Sequence, residues 1–182
     1  VFVTDRLVYL QLHKTACTHI ANLLQEVVDG EQVGKHNRLE RIPDGKYIAG
    51  SIRNPWDWYV SLWAFGCRGK GSIYHALTSR RWRPGERLRE AAVEVIRRRR
   101  APVAAAARLR AELDKPRDLW RATYNDSDDP HGFRTWIRLL LDPRRSDDLA
   151  EGYGRSSISR FAGLMTYRYQ WFAARDPRAV DA

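Results

Sequence analysis

Two segments built to the same plan constrain this 182-residue chain more than any other feature. Val8-Tyr9-Leu10-Gln11-Leu12-His13-Lys14-Thr15-Ala16-Cys17-Thr18-His19-Ile20 reads as an apolar strand, a short polar loop and the start of a helix. Tyr47-Ile48-Ala49-Gly50-Ser51-Ile52-Arg53-Asn54-Pro55 repeats the plan, with Arg53 at the end of the strand and Ser61 eight residues later. Each segment places a cation and a hydroxyl where a strand gives way to a helix. A helix N-terminus aims unsatisfied N–H groups and the positive end of its dipole at one spot, and such loops gather at the carboxyl edge of a parallel sheet. The pattern predicts a site for a small, doubly phosphorylated nucleotide.

Apolar periodicity supplies the surrounding elements. The first strand is expected over Leu7–Leu12 and the helix after it over Thr18–Asp29, where Ile20, Leu23, Leu24, Val27 and Val28 recur at helical spacing and Gly30 ends the pattern. Residues 31–46 are polar and read as loop. The second strand is expected over Tyr47–Ile52, and Pro55 suits the first turn of a helix carrying Trp56, Tyr59, Val60, Leu62, Trp63 and Phe65. Further helices are expected over Glu86–Arg100, Val103–Lys115, Phe133–Leu141 and Ser156–Ala173, with a loop over Asn125–Gly132. These elements predict one α/β domain over residues 1–182: a P-loop-like, three-layer α/β/α fold with a small parallel sheet and a helix-rich C-terminal half. Residues 1–70 form its nucleotide-binding core, residues 71–124 a basic helical segment, and residues 125–182 the C-terminal helices that complete the site.

The formal charge of +10 is concentrated in the middle of the chain: residues 71–124 carry 14 Lys and Arg against 6 Asp and Glu, and the flanks are close to neutral. Such a segment attracts polyanions such as nucleic acid, acidic glycan or an anionic membrane surface. A solvated, arginine-rich helix face is the simpler account, and nucleic acid is not expected as a partner. Two cysteines, Cys17 and Cys67, make no disulfide framework, which points to a reducing, cytoplasmic setting. No apolar run approaches membrane-spanning length, and nothing at the start reads as a signal peptide.

The first loop is not that of an ordinary nucleoside triphosphatase. That motif needs a glycine-rich turn closed by Lys-Ser/Thr, and no glycine occurs between Val1 and Gly30. Here Lys14 opens the loop, with Thr15 and Thr18 supplying hydroxyls.

The arrangement resembles the 5′-phosphosulfate loop of the sulfotransferases, Lys-Ser/Thr-Gly/Ala-x-Thr/Ser-x followed by an apolar residue, closest to the carbohydrate (heparan-type) and bacterial branch. The second segment resembles the 3′-phosphate element of that family, matching it at Arg53, Asn54, Pro55 and Ser61. The likeness covers residues 7–65. It implies that the nucleotide is 3′-phosphoadenosine 5′-phosphosulfate, with 3′,5′-diphosphoadenosine as product. Lys14 would hold the bridging oxygen and the departing phosphate. Thr15, Ala16, Cys17, Thr18 and His19 would line the 5′ side, and Arg53 and Ser61 would bind the 3′-phosphate. No metal is implied. Three residues depart from the family pattern: Cys17 replaces Gly, Ser or Thr, His19 stands where Ser, Thr or Trp is common, and Trp58 takes a position that is often Arg.

Sulfuryl transfer also needs a base for the proton of the acceptor hydroxyl. His36, in Gly34-Lys35-His36-Asn37-Arg38-Leu39-Glu40, lies between the two nucleotide elements, where the family commonly carries one, and imidazole titrates near neutrality. Glu40 is the substitute, and His13 and His19 flank the phosphate loop. Gly152-Tyr153-Gly154-Arg155-Ser156-Ser157 is a candidate third phosphate contact, and Tyr167-Arg168-Tyr169 a candidate base-stacking element. The implied acceptor is a hydroxyl on a carbohydrate, a small molecule or a lipid, with the arginines of Arg80–Arg100 available to an acidic one. The rival readings are a small-molecule kinase, a basic nucleic-acid-binding protein using Arg80–Arg121, and an inactive relative that keeps the nucleotide site. The sequence does not set the oligomeric state.

Overall fold

Thr4 decides the hand of the first strand pairing. Its Oγ1 accepts from the N–H groups of Arg6 and Leu7, and its own N–H bonds back to the Leu7 carbonyl at 2.8 Å. A turn this tight joins only antiparallel strands. In the computed structural model it connects β1 (Phe2–Val3) to β2 (Leu7–Leu10), in register Phe2 with Tyr9 and Val3 with Val8. The chain continues through α1 (Cys17–Val27), β3 (Glu31–Gln32), β4 (Tyr47–Gly50), α2 (Pro55–Cys67), α3 (Ser72–Thr78), α4 (Arg117–Ala122), α5 (Pro130–Leu141) and α6 (Gly163–Phe172). Two 3₁₀ segments, Pro143–Leu149 and Tyr153–Arg155, lie between α5 and α6.

The structure describes residues 1–37, 45–79, 110, 113–149, 153–155, 159 and 162–172. The helix expected over Glu86–Arg100, most of that over Val103–Lys115, and Glu40 lie outside these residues. So do Gly152, Ser156 and Ser157.

The sheet has the order β3-β1-β2-β4. β2 and β4 run parallel, pairing Leu7 with Tyr47 through to Leu10 with Gly50, and α1 lies within the crossover that parallel pairing requires. β1 is antiparallel to both β2 and β3. The sheet is therefore mixed, and the expectation of a parallel sheet holds only for the β2–β4 pair. Two-residue strands carry no periodic signal, so β1 and β3 were not legible in the sequence. Gly30 lets β3 approach β1, since a Cβ there would stand 2.8 Å from the Val3 carbonyl oxygen.

Strand alternation sorts the core of this sheet. On one face Phe2 and Tyr9 pack with Cys17 and Ala21 of α1, flanked by Ile20 and Leu24. Val1, Val8 and Leu10 form a second cluster with Val3. At the C-terminal end of β4, Gly50 accommodates the Tyr169 hydroxyl from α6, which a Cβ would overlap.

The chain divides into two compact units, residues 1–61 with 155–182, and residues 62–154. In the second, Trp63, Trp120 and Trp136 are fully buried and each indole N–H is satisfied, by the Thr123 carbonyl (2.7 Å), Asp148 Oδ2 (2.8 Å) and the Tyr124 hydroxyl (2.6 Å) respectively. Asp129 caps α5 by accepting from the N–H groups of His131 and Gly132, with Pro130 in the first turn. The helix therefore starts three residues before Phe133, where the apolar pattern begins.

Candidate functional site: two loops at adjacent strand ends

Beyond Leu10 the chain turns sharply into α1. Lys14 (φ 62°) and Ala16 (φ 58°) both adopt the left-handed conformation that non-glycine residues rarely take. Two such residues in a four-residue turn store strain of about 1–3 kcal/mol each, a feature that clusters at ligand sites. Ala16 is the N-cap and offers no side-chain cap; the first helical bond runs from Ile20 N to Ala16 O at 3.1 Å. The N–H groups of Cys17, Thr18 and His19 thus receive nothing from the helix itself and lie at its positive end. The Thr18 and His19 side chains are exposed there, and Lys14 is half-buried.

Two expected lining residues turn inward. Cys17 is buried against Phe2, Tyr9 and Ala21, so its thiol faces the core and only its backbone N–H is left for an anion. Cysteine suits that inward placement because it behaves as a small apolar side chain. Thr15 is buried as well, and its hydroxyl donates to the Leu12 carbonyl at 2.9 Å. A carbonyl only accepts, so the direction of the next contacts follows: Ser51 donates to Thr15 (2.9 Å) and Tyr9 donates to Ser51 (2.8 Å). Burial pushes the Tyr9 phenol above its ordinary range and keeps it protonated as that relay requires.

Ser51 belongs to the second loop. Parallel pairing of Leu10 with Gly50 makes the two chains leave the sheet side by side, and the Thr15–Ser51 contact ties them together just past its edge. Arg53 follows with an exposed side chain. Asn54 starts α2, its Oδ1 accepting from Trp56 N–H at 3.0 Å and its carbonyl from Trp58 N–H at 2.9 Å. Ser61 lies further along α2, half-buried. Trp58 is fully buried and donates its indole N–H to the His13 carbonyl at 2.7 Å. The indole thereby braces the loop between β2 and α1.

His36 joins the same strand end. Its Nδ1 lies 2.8 Å from the Gln11 carbonyl, which fixes the proton on Nδ1 and leaves the lone pair on Nε2. Its ring stacks on that of His13, with centroids 3.8 Å apart and planes 17° apart. Burial holds the His36 pKa below the usual histidine range, opposed by the Gln11 hydrogen bond and assisted by Lys35. His13 is lowered further, to about 3, chiefly by burial and then by the charges of Arg168, His36 and Lys35. The imidazole of His36 is thus neutral at neutral pH, with its basic nitrogen unprotonated.

Arg168 is the residue that sequence reasoning missed in this role. It is 3% exposed on α6, and its guanidinium reaches to 3.5 Å from His13 Nδ1 across 155 residues of chain. No local spacing announces such a contact. Of the other histidines, His19 is exposed on α1, and His75 and His131 lie exposed in the second unit. Among the described residues no group of three or more His, Cys, Asp or Glu could hold a metal, and no helix is long and apolar enough to cross a membrane. Compared with known proteins, the chain matches no family model, no curated protein and no solved structure.

Proposed function

We propose that this chain is a sulfotransferase on a P-loop-like α/β/α core, moving a sulfuryl group from 3′-phosphoadenosine 5′-phosphosulfate to a hydroxyl of a carbohydrate, a small molecule or a lipid. The observation that carries the reading is the parallel pairing of Leu10 with Gly50, tied off by Thr15 and Ser51, which makes the two anion-binding motifs neighbours. The residues present suit such a nucleotide. The open N–H groups of Cys17–His19 and the ammonium of Lys14 serve its 5′ end, and Arg53 with Ser61 serves the 3′-phosphate. Thr15 and Cys17 act through the backbone and the loop's shape.

When bound, the nucleotide supplies an activated sulfuryl group: the acceptor oxygen bonds to sulfur as the bond from sulfur to the bridging phosphate oxygen breaks. Lys14 and the α1 terminus stabilise the negative charge that develops on the leaving phosphate, without a metal. His36 Nε2 takes the proton of the acceptor hydroxyl, its ring held by Gln11 and its neutrality by burial. Both cysteines are free thiols, in keeping with the reducing, cytoplasmic setting proposed for the protein.

Against the kinase reading stands the absence of a glycine-rich turn closed by lysine. The test is release of 3′,5′-diphosphoadenosine from the sulfated nucleotide in the presence of hydroxyl acceptors. His36→Ala should lower turnover by roughly a hundredfold or more with nucleotide affinity kept. Full turnover by that variant would place the base elsewhere, with Glu40 next to be replaced.

A further inference from the structure

We propose that Arg168 is a positioning residue that gives the stacked imidazoles of His13 and His36 opposite tautomers, so that one strand end presents a proton acceptor, His36 Nε2, beside a hydrogen-bond donor, His13 Nε2–H. A use for both groups in sulfuryl transfer rests on the reading above; the division of tautomers rests on geometry alone.

Arg168 is a buried cation, and burying one is costly unless lone pairs surround it. A guanidinium carries only donors. The ring nitrogen it faces at 3.5 Å, His13 Nδ1, must therefore be the unprotonated one, which puts the His13 proton on Nε2. The Gln11 carbonyl imposes the reverse on His36, whose proton is on Nδ1. The two rings lie face to face at 3.8 Å, so protonating either would place a cation on the face of its neighbour. Among the described residues, the charged side chains acting on the pair are Arg168 from α6 and Lys35 from the segment before His36, both cations. The Phe172 ring, one turn beyond Arg168 on α6, adds an apolar neighbour 5.9 Å from His13. Both imidazoles are thus kept neutral, and among the described residues each is oriented by a carbonyl or a guanidinium instead of the carboxylate usual for a catalytic histidine. A neutral base next to a neutral donor suits an anionic ligand: the base takes the acceptor's proton while the donor bonds an oxygen of the sulfuryl or phosphate group.

Long-range ¹H–¹⁵N correlation of the imidazole nitrogens in the wild-type protein tests the assignment directly. His13 is expected as the Nε2–H form and His36 as the Nδ1–H form, with neither titrating at the ordinary value of about 6.5. Arg168→Met should raise the proton affinity of His13 at least tenfold and move the acid limb of the turnover profile to higher pH, with kcat falling more than KM rises. Arg168→Lys, which keeps the charge, should leave His13 neutral at pH 7. A wild-type spectrum showing His13 as Nδ1–H, or titrating near 6.5, overturns the proposal, and so does an Arg168→Met protein whose two imidazoles are unchanged. Should Arg168→Met not fold, the wild-type spectrum decides alone. The expected tautomers in a protein that fails to bind 3′,5′-diphosphoadenosine would support the assignment and defeat sulfuryl transfer.

Discussion

The hydroxyl of Thr15 stands 2.9 Å from that of Ser51, joining the loop after β2 to the loop after β4. The contact is the middle of a one-way relay from Tyr9 through Ser51 and Thr15 to the Leu12 carbonyl. Every hydroxyl proton in it is committed, so the relay is an internal tie between loops and not a surface offered to a ligand.

Thr15→Val keeps the shape of the side chain and breaks the tie, leaving the Leu12 carbonyl and the Ser51 hydroxyl without their partner. A loss of about 1–3 kcal/mol in unfolding free energy is expected, read by urea denaturation. Ser51→Ala, which removes the donor and leaves Thr15 bonded to Leu12, should cost less, about 0.5–1.5 kcal/mol. A Thr15→Val protein as stable as the wild type would mean that the relay does not hold the loops.

Trp58→Phe keeps a buried ring and removes the N–H that reaches the His13 carbonyl. It should cost about 1–2 kcal/mol of stability and weaken the proposed nucleotide binding through a looser loop before α1, seen in denaturation and in calorimetry. Trp58→Arg, although it introduces a residue common in the resembling family, should destabilise more, because it puts a cation at a fully buried position. A Trp58→Phe protein as stable as the wild type would remove the brace assigned to the indole.

His13 makes stability depend on pH in a defined direction. Its folded pKa of about 3 lies below the unfolded value of about 6.5, so between these values the unfolded chain binds more protons. The His13 contribution is complete above pH 6.5 and is lost progressively as pH falls toward 3, with a slope of up to about 1.4 kcal/mol per pH unit. His36, lowered in the same sense, adds to it. Urea midpoints measured from pH 4 to 8 should fall on the acid side, and His13→Gln should flatten the decline. An unchanged decline in His13→Gln would assign it to other groups.

What was legible in the sequence is what local chemistry dictates. The apolar runs at Leu7 and Tyr47, the helical spacing of Ile20, Leu23 and Leu24, and Pro55 at a helix start each act within a few residues, and β2, α1, β4 and α2 lie where those signals place them, with ends shifted by one to two residues. β1 and β3 depend on a three-residue turn and on pairing across some thirty residues, which no period records. Asp129-Pro130 lies in a stretch whose composition reads as loop, yet it is an N-cap followed by a first-turn proline, a signal that outranks the later start of apolar spacing. In the candidate site, Lys14, Arg53 and His36 stand out as residue types in a motif order. The partners that give them their chemistry do not: the His13 stack, the Trp58 brace and the approach of Arg168 exist only once distant segments have folded together.

The central claim is that Lys14 and Arg53 hold opposite ends of one nucleotide, and calorimetric titration with 3′,5′-diphosphoadenosine, ATP and 5′-AMP tests it most directly. The diphosphate should bind the wild type far more tightly than either of the others. Lys14→Ala and Arg53→Ala should each cost about 1.5–3 kcal/mol of that affinity, the range for a lost charge-assisted contact, with stability unchanged for the exposed Arg53. No binding of the diphosphate, or equal binding by the wild type and both variants, would contradict the account.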